Sequence, residues 1–344
     1  LIAQSRIRKA AIVALILVSV CIVLASVIIG AETISPAQAW REWRAHVPMS
    51  EAPTLSVFLQ QRVPRTLAAL LAGSGLALAG AAFQAMLRNP LATPYTLGVS
   101  SAGAFGAFTA TVLATTYGWS HSYLGFSGVE VFSFLFAAID VLLIYVLAVQ
   151  KARVSPAVLL LAGVTLGMIA NAGIMMMQQL MNPEWLVIMT RWTMGHLSII
   201  GYDPVLALTI GVLPCMAVLL AQAGKFDQLG FGEELAAGRG VNVRRLQVVT
   251  FLVGSLMTAI IVSKVGPIGF VGLIVPHAVR TVTGTRHRSL LPLSMIVGGA
   301  FLCLCDIVAR RLLPGETPVG IITALVGGPF FLYLLLRRRL TEWM

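Results

Sequence analysis

The sequence predicts an all-α integral membrane protein with about ten transmembrane helices, and three observations predict it. Of the 344 residues, 58% are hydrophobic and only 11% are charged, whereas a soluble domain carries roughly 25% charge. A chain this long in water would bury one or two cores under a charged skin, and here the charges for that skin are missing. Apolar runs long enough to cross a bilayer recur ten times. With the N-terminus in the cytoplasm, sixteen of the 24 Lys and Arg residues fall on the inner side and eight on the outer. That two-to-one bias puts both termini inside.

The first span, at about 10 to 30, follows Arg6, Arg8 and Lys9. Ala37-Gln38-Ala39 resembles a signal-peptidase site, but the uncharged run before it exceeds the roughly 7 to 15 apolar residues of a signal peptide and reads as a membrane helix. An outer connection from Ala31 to Pro64 holds Trp40 and Trp43, which suit an amphipathic segment on the membrane surface. Further spans are expected at about 66 to 87, 95 to 117, 129 to 149, 156 to 181, 203 to 223, 246 to 263, 268 to 283, 290 to 310 and 319 to 336. The eighth is short and opens on Gly266-Pro267-Ile268-Gly269. It is expected to be broken or partly re-entrant, which is tolerated where backbone is buried in protein. Gly73, Gly75, Gly80, Gly98, Gly103, Gly106, Gly163 and Gly167 are spaced to let helix backbones approach closely.

The inner connection from Gly224 to Arg245 is the most polar stretch of the chain. It reads as one or two short cytoplasmic helices, either a solvated connector or a docking surface for a soluble partner. The organisation is therefore one transmembrane domain over 1–344, with 226–245 as a cytoplasmic loop within it.

Several chemistries are excluded. The net charge of +11 lies in scattered residues with no basic and aromatic face, which argues against nucleic acid and leaves membrane lipid as the surrounding partner. Gly224-Lys225 lacks the upstream Gly and following Ser or Thr of a P-loop. Neither His-Glu-x-x-His nor Gly-x-Ser-x-Gly occurs. The five histidines lie far apart, and Cys21, Cys215, Cys303 and Cys305 all fall in apolar segments, so no metal site, cofactor or disulfide framework is expected. The chain does not read as an enzyme. Among intramembrane ionisable residues, Asp140 sits in mid-span, while Asp306 and Arg310 are four apart on one helix and can pair.

Specific segments then carry a resemblance. Arg62, Pro64 and Arg65 run on to Gly73, followed by Arg88-Asn89-Pro90-Leu91-Ala92, Gly98 to Ala104, Leu159 to Gly163, Gly232-Glu233-Glu234, Gly266 to Arg280, Asp306 to Arg310, Glu316 to Gly320 and Thr323 to Phe330. In that order they resemble the FecCD family of permeases of type II ABC importers. The resemblance implies a BtuC-like permease bundle without its own ATPase site, multi-pass in a bacterial inner (cytoplasmic) membrane. It implies work as a homodimer with a second copy of the permease, two cytoplasmic ATP-binding subunits and a periplasmic substrate-binding protein. Gly232, Glu233, Glu234, Leu235 and Arg239 would couple to the ATPase. Asn89, Pro90 and Leu91 would narrow the cytoplasmic exit, with Ser155 and Pro156 completing the constriction, and Arg62, Arg65 and Arg310 would dock the binding protein. The family loop usually reads Gly-Glu-Glu, two residues, Ala-Arg-Ser-Leu-Gly-Val, where this chain has Ala236-Ala237-Gly238-Arg239-Gly240-Val241, and an extra Gly where Ser is usual is expected to loosen the second short helix by up to about 1 kcal/mol. The expected cargo is an iron chelate, a ferric siderophore or haem, with cobalamin as the alternative. From another class, an ion-coupled secondary transporter would need midplane ionisable sites, for which Asp140 is the isolated candidate.

Overall fold

The computed structural model describes residues 2–30, 35–49, 51–118, 127–150, 153–154, 156–312 and 316–342. Ten of its helices fall on the ten expected spans: α1 (Ile2–Ile28), α4 (Val63–Leu87), α5 (Val99–Tyr117), α6 (Gly128–Ala148), α7 (Pro156–Leu180), α9 (Asp203–Ala221), α12 (Val243–Val265), α13 (Val271–Thr283), α14 (His287–Leu312) and α15 (Val319–Glu342). Shorter helices are α2 (Pro36–Arg44), α3 (Pro53–Val57), α8 (Pro183–Thr193), α10 (Ala223–Leu229) and α11 (Glu233–Gly238). Two-residue strands, β1 (Val149–Gln150) and β2 (Arg153–Val154), pair antiparallel between α6 and α7.

The outer connection contains the expected surface segment. Pro36 opens α2, and the tilted rings of Trp40 and Trp43 meet at 4.9 Å between centroids while remaining more than half exposed. Pro53 then starts a helix that runs through a π-helical turn at Phe58–Arg62 into α4, so this helix begins well before the expected residue 66. Arg88, in the left-handed conformation (φ 49°), ends α4. The outer helix α8 was not among the expected elements. Asn182 precedes Pro183 at its first position and Glu184 in its first turn, a start signature with a favourable dipole contact.

The eighth span behaves as its sequence suggests. Residues 266–270 stay non-helical, Gly266 and Phe270 take positive φ, and only 13 residues form α13, about 20 Å of helix against a hydrocarbon core of roughly 30 Å.

Helix α4 is the centre of the bundle: 83% of its most apolar stretch is buried, compared with 11% for α1. Glycines make this possible. A Cβ on Gly73 would strike the carbonyl of Gly298 on α14, and one on Gly80 would strike the Gly272 carbonyl on α13. Backbone therefore lies on backbone at both crossings, with dispersion contacts and lipid release holding helices that have no hydrophobic drive to associate in a bilayer. Phe83, its ring tilted against that of Phe251 of α12 at 6.1 Å between centroids, extends the core toward the inner end.

Candidate functional site

At the inner end, α10 and α11 form a polar hairpin fixed by three fully buried residues, Phe226, Leu229 and Ala236. Gly232 takes φ 114° between the helices, a conformation that only glycine adopts without strain. Glu233 and Glu234 occupy the first turn of α11, where negative charge complements the helix dipole. Glu233 Oε1 also accepts a hydrogen bond from Gln247 Nε2 at 3.1 Å, tying α11 to α12. The Val241 N–H donates to Ala236 O at 3.0 Å and closes the far end. Gly238 is the last residue of this six-residue helix, where a weak helix former does least harm.

Facing away from the bundle are Phe231, 66% exposed, and Leu235, 58% exposed. The Arg239 guanidinium sits 5.4 Å above the Phe231 ring, and Glu234 is exposed beside them. Two large apolar side chains with a charged rim form a small surface of the kind that a protein partner covers.

The expected exit segment borders this hairpin. Asn89 Oδ1 accepts from the Leu91 N–H at 3.0 Å and Asn89 O accepts from Ala92 N–H at 3.2 Å, an Asx-type turn that leaves Leu91 41% exposed. The chain then crosses to α7, where Gly163 is so close to Leu97 that a Cβ would lie 2.6 Å from its Cα. Pro156 opens α7 at the same end of the bundle. Ser155 lies outside the described residues.

Arg62, Arg65 and Arg310 are brought together at the outer end, with their side chains turned into the protein. Arg62 and Arg310 are each 5% exposed. Arg62 Nη1 donates to Ile28 O at 2.6 Å. Arg65 donates to Asp306 Oδ1 through Nε at 3.1 Å and Nη2 at 2.9 Å, and through Nη1 to Glu316 Oε2 at 2.8 Å. Arg310 Nη2 donates to the carbonyl and hydroxyl oxygens of Ser26, both at 3.1 Å, and lies 3.0 Å from Asp306 Oδ2. Asp306 is fully buried between two guanidiniums. The expected Asp306–Arg310 pair is therefore one edge of a larger cluster that fastens α1, α4, α14 and the segment before α15. Nearby, burial and next the Arg65 charge hold the His196 imidazole below its usual pKa. A cavity of about 380 Å³ lined by all three arginines, Gln61 and Glu316 opens beside the cluster.

Asp140 is 5% exposed on α6, close to Gly98. Its Oδ2 finds no hydrogen-bond donor among the described residues. Sequence reasoning missed the Arg65 and Glu316 edges of the outer cluster, which are 241 and 251 residues from their partners. It also counted Arg286 and Arg288 only among the inner positive charges, although with Arg280 they put three arginines within nine residues.

Ten apolar helices with a polar, partner-shaped hairpin at one end define a multi-pass membrane permease. The FecCD transport family model matches residues 15–337; the chain belongs to that family and is an ABC importer permease, a transport component that works with ATP-binding and substrate-binding partners. It is 41% identical over 278 residues to the cobalamin import system permease protein BtuC of Halobacterium salinarum, covering 80% of this chain and 72% of that protein. It is 32% identical over 336 residues to the ferric enterobactin transport system permease protein FepD of Escherichia coli, covering 96% of each. Among solved structures it is similar to an inward-facing conformation of a metal-chelate type ABC transporter, with TM-score 0.80, 31% identity, and coverage of 96% of this chain and 99% of that one.

Proposed function

We propose that this chain is a single permease domain that imports an iron chelate, a ferric siderophore or haem, across a bacterial inner membrane. It works as a homodimer, driven by two ATP-binding subunits and fed by a periplasmic binding protein. The observation that carries the coupling is the exposed Phe231–Leu235 tip on the rigid α10–α11 hairpin. Gly232, Glu233, Glu234, Leu235 and Arg239 meet the ATPase there, and closure of two ATPases drives the hairpin as a rigid lever. The iron-chelate cargo is supported by the likeness to the FepD permease and to the metal-chelate transporter. Cobalamin is the second cargo, favoured by the 41% identity to the halobacterial cobalamin permease.

The homodimer is supported by α7. Thr165, Met168, Asn171, Met175 and Gln179 are exposed, and their spacing puts them on one helix face. The amide groups of Asn171 and Gln179 on such a face are ill suited to lipid, and a second copy across a two-fold axis would cover them while leaving a solute path between. The binding protein docks at the outer rim around Arg62, Arg65 and Arg310, where Glu316, whose side chain is 35% exposed, gives up Arg65 to an acidic residue of the partner.

Transport in proteoliposomes tests the whole reading. Uptake of a ferric siderophore or haem is expected to require ATP, the ATPase and the binding protein, to persist with an uncoupler, and to fall as salt rises, since charge-steered docking is screened. Replacing Glu233 and Glu234 by Lys is expected to abolish coupled uptake. Uptake that collapses with the proton gradient and ignores the ATPase would instead identify an ion-coupled carrier, and the absorption spectrum of ligand bound to the co-purified binding protein separates haem, ferric siderophore and corrinoid.

Asn89, Pro90 and Leu91, with Ser155 and Pro156, form the cytoplasmic gate in this proposal. Truncation of Leu91 to Ala is expected to raise ATP-independent leak of cargo and idle ATP hydrolysis while leaving expression unchanged, because the side chain is exposed and contributes little to the core. A tight, normally coupled variant refutes the gate.

A further inference from the structure

Behind the coupling hairpin lies a cavity of about 760 Å³, walled by the end of α4 and the segment after it (Gln84, Arg88, Pro90), the α10 segment (Asp227, Gln228) and the junction of α13 with α14 (Arg280, Arg286, Arg288). Four arginines therefore share one space. The single carboxylate in the wall, Asp227, is already engaged: its Oδ1 accepts from the backbone N–H of His287 and lies 3.0 Å from His287 Nδ1. It serves as the cap of α14. Arg288 reaches across to Gly224, where an added Cβ would lie 3.3 Å from Nη2, so the junction and the start of the hairpin are in contact. Arg88, Arg286 and Arg288 are exposed, and the buried Gln228 Oε1 accepts no hydrogen bond from the described residues.

This basic cavity is continuous with the coupling face, because Arg88 and Phe231 also line the neighbouring groove that holds Gly232, Glu233, Glu234 and Leu235. Resting on the reading of that face as the ATPase contact, we propose that the cavity is a second socket on the same partner. It receives an acidic segment of the ATP-binding subunit, whose carboxylates pair with Arg88, Arg286 and Arg288 while Phe231 and Leu235 seat in an apolar hollow. The geometry gives the socket a separate task. The α11 tip packs mainly on α10 and α12, whereas the socket is built from the end of α4, Pro90 in the exit segment and the junction of α13 with α14. A carboxylate held there links the ATPase directly to the central helices and to the exit. Guanidinium–carboxylate contacts in a recessed, partly desolvated site also fix register and speed association more strongly than the same pairs on an open surface.

The test measures binding of the purified ATP-binding subunit to the full-length permease in nanodiscs of zwitterionic phosphatidylcholine. The Arg286→Glu/Arg288→Glu variant is expected to bind about tenfold more weakly at low salt, with a flatter salt dependence, and reversal of one acidic surface residue of the ATPase is expected to restore binding. Arg286→Gln/Arg288→Gln, which removes charge without adding repulsion, is expected to fall between, and an unchanged thermal unfolding midpoint shows that both variants fold. Affinity and salt slope equal to wild type, with binding lost in Leu235→Asp, overturn the socket and leave the coupling face standing. Binding that survives Leu235→Asp as well overturns the coupling face itself. An effect of the arginine variants that requires anionic phosphatidylglycerol in the disc assigns the cavity to a lipid headgroup and overturns the proposal.

Discussion

Replacement of Asp306 by Ala is expected to destabilise the folded permease by about 3–5 kcal/mol, the range for removing one partner of a buried ion pair. The carboxylate is fully buried and holds Arg65 through two hydrogen bonds and Arg310 through an ion pair. Without it, Arg65 keeps Glu316 as its carboxylate partner, and Arg310, 5% exposed, is left among the described residues with uncharged oxygens of Ser26 and its own helix. Asp306→Asn keeps the shape and one acceptor oxygen, so a smaller loss is expected. Removing Arg65 together with Asp306 should recover part of the deficit, since replacing both members of a buried pair by apolar groups is far less harmful than orphaning one. Thermal unfolding of the detergent-purified protein, followed by tryptophan fluorescence and size-exclusion profile, measures all three. An Asp306→Ala protein as stable as wild type would show that the cluster does not hold the outer end together.

The second large effect is expected at Gly80. Its Cα meets the Gly272 backbone so closely that any side chain collides with main chain, which cannot swing aside as a side chain would. Gly80→Val should therefore cost at least the roughly 1–3 kcal/mol typical of overpacking, seen as loss of the monodisperse peak and of membrane-inserted yield. Gly238→Ala is the matched control: nothing lies within 4 Å of its added Cβ, and it ends a helix, so it should be neutral or stabilising by up to about 1 kcal/mol. A Gly80→Val protein that behaves like this control would mean that the helices can separate there without loss.

These two sites mark what could and could not be read from sequence. Ten spans were legible because lipid imposes a minimum length and an apolar composition on any helix that crosses it. The kinked start of α13 was legible in Gly266-Pro267 and Gly269, and the hairpin at 223–238 in its polarity. Helix α8 was not, because Pro183–Thr193 is short, with Glu184 and Arg191 among its apolar residues, and a window tuned to membrane spans passes over it. The glycines announced close packing but not which partner each would meet. For the outer cluster, a sequence shows only the i, i+4 neighbour, so Arg310 beside Asp306 was visible. That Arg65 shares the same carboxylate depends on how α4 and α14 lie together, and that is decided by the Gly73–Gly298 crossing.

That crossing and its companion at Gly80–Gly272 have a mechanical consequence. Helices separated by interleaved side chains can slide or roll by repacking rotamers, as in shear motions. Helices whose backbones touch have no such lubricating layer, and α4, keyed to α14 at one level and to α13 at another, turns with them as a splined shaft turns with its hub. A force applied to the inner end of α4 would then be carried along it together with α13 and α14 rather than lost in rotamer repacking at these two crossings.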